Sequence, residues 1–119
     1  MRRSEVIEHC ERRIVVIHLD PRAEGMMAAV LAGATALIGE WHGASVRLLV
    51  DARDARPEYE DIAALGQFAE AVEARLAACA VIGSPVVKGA ILGSLRGLSQ
   101  QLVLTFPGID EAKDWLAGV

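Results

Sequence analysis

Arg47-Leu48-Leu49-Val50-Asp51-Ala52 is a run of β-prone residues ending beside an acid, with helix-like sequence on both sides. A short apolar run between helical patterns is the signature of a strand buried on both faces of a parallel sheet. Toward the C-terminus the pattern recurs in Ala78-Cys79-Ala80-Val81-Ile82-Gly83 and in Gln101-Leu102-Val103-Leu104-Thr105-Phe106, each followed by a helical segment. Strands that alternate with helices imply crossover connections, and therefore parallel neighbours.

On the N-terminal side, Val6–Cys10 and Arg13–Leu19 read as an antiparallel hairpin turning at Glu11-Arg12. Alternation puts Val15 and Ile17 on one face, and Ile14, Val16 and His18 on the other. Asp20-Pro21-Arg22 breaks the strand, and a helix is expected from Ala23 to Trp41, closed by His42-Gly43. After the strand Val46–Ala52, Pro57 opens a second helix with Glu58, Glu60 and Asp61 in its first turn, where acids oppose the helix dipole. Its apolar stripe is Ile62, Leu65, Ala69, Val72 and Leu76. Beyond the strand Ala78–Gly83, Ser84 is a natural N-cap and Pro85 a natural first residue for a third helix reaching Leu98. Leu102–Phe106 is the last strand, and Asp110–Leu116 the closing helix. The order β-β-α-β-α-β-α-β-α predicts an α/β fold: a mostly parallel five-stranded sheet with an antiparallel edge strand and helices packed on it.

The 119 residues suffice for one domain with one core. Twelve Lys and Arg against sixteen Asp and Glu leave a net charge of −4, and the cations are scattered, which excludes a nucleic-acid surface. Two cysteines, Cys10 and Cys79, both fall in apolar runs, so neither a disulfide framework nor an exposed thiol is expected. The N-terminal stretch lacks the apolar core of a signal peptide, which fits a reduced, cytoplasmic setting. The longest charge-free stretch, Gly25 to Gly39, falls short of the ~20 apolar residues of a membrane span.

In its element order, in Arg47-Leu48-Leu49-Val50-Asp51 and Ala80-Val81-Ile82-Gly83 as successive strands, and in an ending of Phe106, Asp110-Glu111-Ala112 and Trp115-Leu116, the chain resembles the SpoIIAA-like branch of the STAS domains. That resemblance covers nearly the whole chain and implies non-enzymatic work: protein–protein interaction in regulatory switches, with fold relatives among lipid-exchange domains of the CRAL-TRIO kind. In the anti-sigma factor antagonists of this family, a serine opening the helix after the central strand is phosphorylated to control partner binding. Here that region reads Asp54-Ala55-Arg56-Pro57-Glu58-Tyr59-Glu60-Asp61 and holds no Ser or Thr, so the switch does not carry over. Glu58, Tyr59, Glu60 and Asp61 are instead a candidate partner-binding turn with permanent negative charge, set against the plain reading of a solvated acidic first turn.

Strand ends are where α/β folds bind ligands, and Asp20, Asp51 and Ser84 fall there. The three suggest a receiver-like phosphotransfer site at Asp51, but a receiver expects a lysine ending strand five, where this chain has Thr105-Phe106-Pro107. Ser84 with Lys88 at a helix start is a candidate anion or ligand site, although Pro85 removes a donor and an ordinary cap explains the serine. His9, His18 and His42 show no metal-ligand spacing, so no metal, cofactor or catalytic residue is expected. Two helices are unusually apolar. Ala28, Ala32, Thr35 and Gly39 give the first a small, uncharged side, while Gly89, Gly93 and Gly97 align every fourth residue in the third and would permit close backbone approach. The domain's own sheet, a second subunit or an apolar, lipid-like ligand could cover these faces. The reading is an interaction domain working with another protein, a homodimer first among them, and the alternative is a small apolar-ligand binder.

Overall fold

The computed structural model describes residues 4–19, 26–40, 46–53, 59–95 and 102–119. The strands are β1 (Ser4–His9), β2 (Arg12–His18), β3 (Val46–Asp51), β4 (Leu76–Ile82) and β5 (Val103–Phe106). The helices are α1 (Met26–Gly39), α2 (Tyr59–Val72), α3 (Pro85–Leu92) and α4 (Ile109–Gly118), with a 3₁₀ turn at Glu73–Arg75. One sheet runs in sequential order β1-β2-β3-β4-β5, with β1 antiparallel to β2 and every other pair parallel. This is the α/β architecture that the apolar runs predict.

A sequential sheet steps one way at every crossover, so its connecting helices share one face. Val15, Ile17, Leu48, Val50, Cys79 and Val81 form that face, packed with Met27, Leu31, Ala34 and Ile38 of α1, Leu65, Phe68 and Val72 of α2, and Val87 and Ile91 of α3. The opposite face, built from Ile14, Val16, Leu49, Ala78, Ala80 and Ile82, is covered by α4 through Ala112 and Leu116. Two anchors seat α4. The Trp115 ring lies 5.4 Å from that of Phe106, and Arg47 donates to the carbonyls of Leu116 (2.9 Å) and Val119 (2.6 Å) at the helix's C-terminal end.

The hairpin turns one residue earlier than its sequence implies. His9 pairs with Arg12, leaving Cys10 (φ 51°) and Glu11 (φ 65°) as the two loop residues, both in the left-handed region that a two-residue hairpin turn requires. Cys10 is consequently exposed, not buried as expected. Leu76 belongs to β4 and not to the helical stripe; a register slip between Val46 and Arg47 still delivers it to the three-helix face, beside Leu65 and Val72. Ile62, placed on that stripe, is 38% exposed.

The third helix is shorter than expected. α3 ends at Leu92, with Gly93 as its C-cap, glycine being a poor residue for carrying a helix further. Nothing lies within 4 Å of the position a Gly89 Cβ would take, and Gly93 meets only its own helix's backbone, so the expected close approach along 89 and 93 is absent. Gly97, Trp41, Pro57 and the terminal stretches of the longer first helix lie outside the described residues. A close approach is made instead at Gly66 of α2, where an added Cβ would stand 2.7 Å from Oγ of Ser94 in the turn after α3.

No helix among the described residues is long and apolar enough to cross a membrane.

Candidate functional site

Parallel strands end together, and the C-terminal ends of β2 and β3 gather polar residues that lie far apart in sequence. His18 and Asp51 are register partners, and Glu5 of the antiparallel β1 enters from the neighbouring strand. His18 sits between two carboxylates, with Nε2 3.3 Å from Glu5 Oε1 and Nδ1 3.5 Å from Asp51 Oδ2. Arg53 grips Asp51 from the other side: Nε donates to Oδ1 at 3.0 Å and Nη2 to Oδ2 at 2.8 Å, a two-point contact that matches the guanidinium fork to the carboxylate. Burial pushes the Asp51 carboxyl pKa up, but the Arg53 side-chain and backbone hydrogen bonds, with the charges of Arg53 and His18, outweigh it and hold the group below its ordinary value. Both oxygens of Asp51, the residue of the receiver-like reading, are thus engaged by Arg53. Asp20 lies outside the described residues.

Between β4 and β5, an open cleft of about 310 Å³ is lined by Gly83, Ser84, Pro85, Thr105, Phe106 and Pro107. Ser84 is buried there as the N-cap of α3, its Oγ accepting from the Val87 amide at 3.2 Å. Lys88, half-buried one turn along α3, is not among the residues that line this cleft. Gly83 has φ +79°, and its missing Cβ lets the chain pass Arg53, whose Cα would lie 2.9 Å from that atom. This glycine locks the loops after β3 and β4 together.

The acidic turn is partly in view. Tyr59 is 88% exposed and Glu60 is exposed, whereas Asp61 is half-buried; Glu58 lies outside the described residues.

The small side of α1 is at the surface. Ala28, Ala29, Ala32, Gly33, Ala36 and Gly39 are exposed, and the Thr35 hydroxyl donates to the Leu31 carbonyl at 2.8 Å, hiding the helix's single polar side chain within its own backbone. Beside this face runs β1, the edge strand of the sheet, which among the described residues pairs only with β2. Between the two lies an open cleft of about 590 Å³, lined by Ser4, Glu5, Val6, Gly33, Ala36, Leu37 and Glu40.

The Glu5–His18–Asp51–Arg53 chain escapes sequence reading because its members come from three strand ends and a loop. The signal that could have found it is the paired strand-end positions of His18 and Asp51. No protein-family model and no curated protein sequence matches this chain.

Proposed function

We propose that this chain is a non-enzymatic, STAS-like protein-interaction domain that docks through the outer face of α1 and works as a homodimer. The observation that carries the reading is the exposed, charge-free surface of Ala28, Ala29, Ala32, Gly33, Ala36 and Gly39 beside the edge strand β1. Small residues at four-residue spacing let two helix backbones approach closely, and a twofold interface sets the same patch against itself. The six residues of the patch carry no charge, so a second copy set against them by twofold symmetry brings no like charges together at its centre, while Glu5 and Glu40 stand at its margin. The STAS-like reading is supported by the sequential sheet with three helices on one face and one on the other. With no Ser or Thr between Ala52 and Asp61, docking is not gated by phosphorylation there; Glu60 and Asp61 supply standing negative charge in its place.

Light scattering over a concentration series tests this. Wild type is expected to pass from monomer to dimer, and Ala32→Glu to remain monomeric with the thermal midpoint that wild type shows at concentrations where it is monomeric, since an exposed substitution shifts stability by no more than about 0.5 kcal/mol. A wild type that stays monomeric throughout, or a dimer that survives Ala32→Glu, overturns it. A second reading is an apolar, lipid-like ligand held in the cleft between β1 and α1 against Val6, Gly33, Ala36 and Leu37, with Ser4, Glu5 and Glu40 at its polar side. Saturable binding of an apolar fluorescent dye to the monomer, abolished by Ala36→Glu, would select it.

A further inference from the structure

At the tip of the hairpin, far from the α1 face, three side chains of different donor type converge. One donor atom of each of His9, Cys10 and Asp114 lies within 4.8 Å of the other two. His9 ends β1, Cys10 is the first turn residue, and Asp114 projects from α4, so only the packing of α4 across the sheet joins them. His9 Nε2 stands 2.6 Å from Asp114 Oδ1, and the two side chains are 28% and 72% exposed, open to solvent and free to adjust. The turn holds Cys10 with φ 51°, and its thiol is exposed.

We propose that this cluster binds a divalent transition-metal ion of the zinc class through His9 Nε2, Cys10 Sγ and Asp114 Oδ1. One imidazole, one thiolate and one carboxylate are the ligand types that borderline-soft Zn²⁺ takes in tetrahedral sites, whereas Ca²⁺ and Mg²⁺ demand oxygen alone. The ion takes the place of the hydrogen between His9 Nε2 and Asp114 Oδ1, which passes to solvent or, by way of solvent, to His9 Nδ1 so that the ring binds neutral. Zinc bonds of about 2.0–2.1 Å to nitrogen and oxygen require that pair to open by less than ~1 Å, which two solvent-facing side chains allow. Cys10 Sγ loses its proton to solvent as the metal–sulfur bond forms, the imidazole binds neutral, and no electron is transferred. With three protein ligands, the fourth position is left to water. The bound ion ties the hairpin tip to α4, closing a link between residues 105 positions apart.

Co²⁺ is the probe, added to the untagged full chain, with Zn²⁺ affinity measured by calorimetric competition. Wild type is expected to give a one-to-one complex with a thiolate-to-cobalt charge-transfer band and the intense visible bands of tetrahedral cobalt, displaced by Zn²⁺. Cys10→Ser should lose the charge-transfer band, and each of Cys10→Ser, His9→Gln and Asp114→Asn should weaken Zn²⁺ binding by about tenfold or more. His18→Gln, in the other histidine cluster, should bind as wild type does. Circular dichroism on each variant separates lost ligands from lost fold, and Cys10→Ser at an exposed turn changes one atom. A wild-type complex with no thiolate band, equal Zn²⁺ affinity in wild type and Cys10→Ser, or loss of binding in His18→Gln alone overturns the proposal and means an adventitious ion only.

Discussion

Gly83 is the residue whose conformation the neighbouring loops cannot do without. Its φ of +79° strains any residue with a Cβ, and that atom would meet the Arg53 backbone at 2.9 Å. Gly83→Ala is therefore expected to lose at least about 1–2 kcal/mol, read as a lower denaturant midpoint at constant slope. Asp51 makes a pH-dependent contribution. Its carboxyl is held below the ordinary 3.8, so the stability it adds is fully present above 3.8 and lost as pH falls through the folded-state value. Urea titrations should find Asp51→Asn less stable than wild type at neutral pH, with the gap closing below 3.8; a gap independent of pH would refute this. Cys79 and Cys10 show what sequence could and could not distinguish. Both sit in apolar runs, yet burial pushes the Cys79 thiol up to about 12, while the turn brings Cys10 to the surface.

At the scale of the element, local signals set the starts of helices better than their ends. Ser84-Pro85 marks the beginning of α3 in the sequence, and the Ser84 hydroxyl caps the Val87 amide as expected. In a helix of only eight residues that bond matters: Ser84→Ala is expected to destabilise by about 1 kcal/mol and Ser84→Gly by less, measured by thermal unfolding. The end of α3 was not legible in the same way. Glycine every fourth residue is compatible with a helix that packs closely and with one that stops, and only its surroundings distinguish the two. Gly89 faces open space and Gly93 becomes the cap, whereas the tight approach falls to Gly66, a glycine with no pattern around it. Leu76 was misassigned to a helix because a four-residue spacing extends the stripe of α2 across a 3₁₀ turn into β4.

Over the whole molecule, the two faces of the sheet are unequally protected. Among the described residues, three helices cover one face and the ten residues of α4 cover the other, held by Leu116, Ala112, the Phe106–Trp115 contact and Arg47. Native-state hydrogen exchange should find α4 amides opening before those of β3 and β4, and earlier still in Arg47→Met; α4 exchanging only with global unfolding would contradict this. What the sequence determined by itself is whatever depends on neighbours along the chain: the apolar runs that must be buried on both faces, the caps and breakers, and hence the element order and the α/β class. That Val15 and Ile14 take opposite faces follows from strand alternation, and is legible for the same reason; which face meets the three helices is not. Tertiary structure alone decided the strand order, the exposure of the small side of α1, and the meeting of Glu5 with His18 and Asp51 and of His9 with Asp114. Those contacts join residues 13 to 105 positions apart, and no periodicity in the chain encodes them. They exist because the sheet brings its strand ends side by side and α4 crosses back over it.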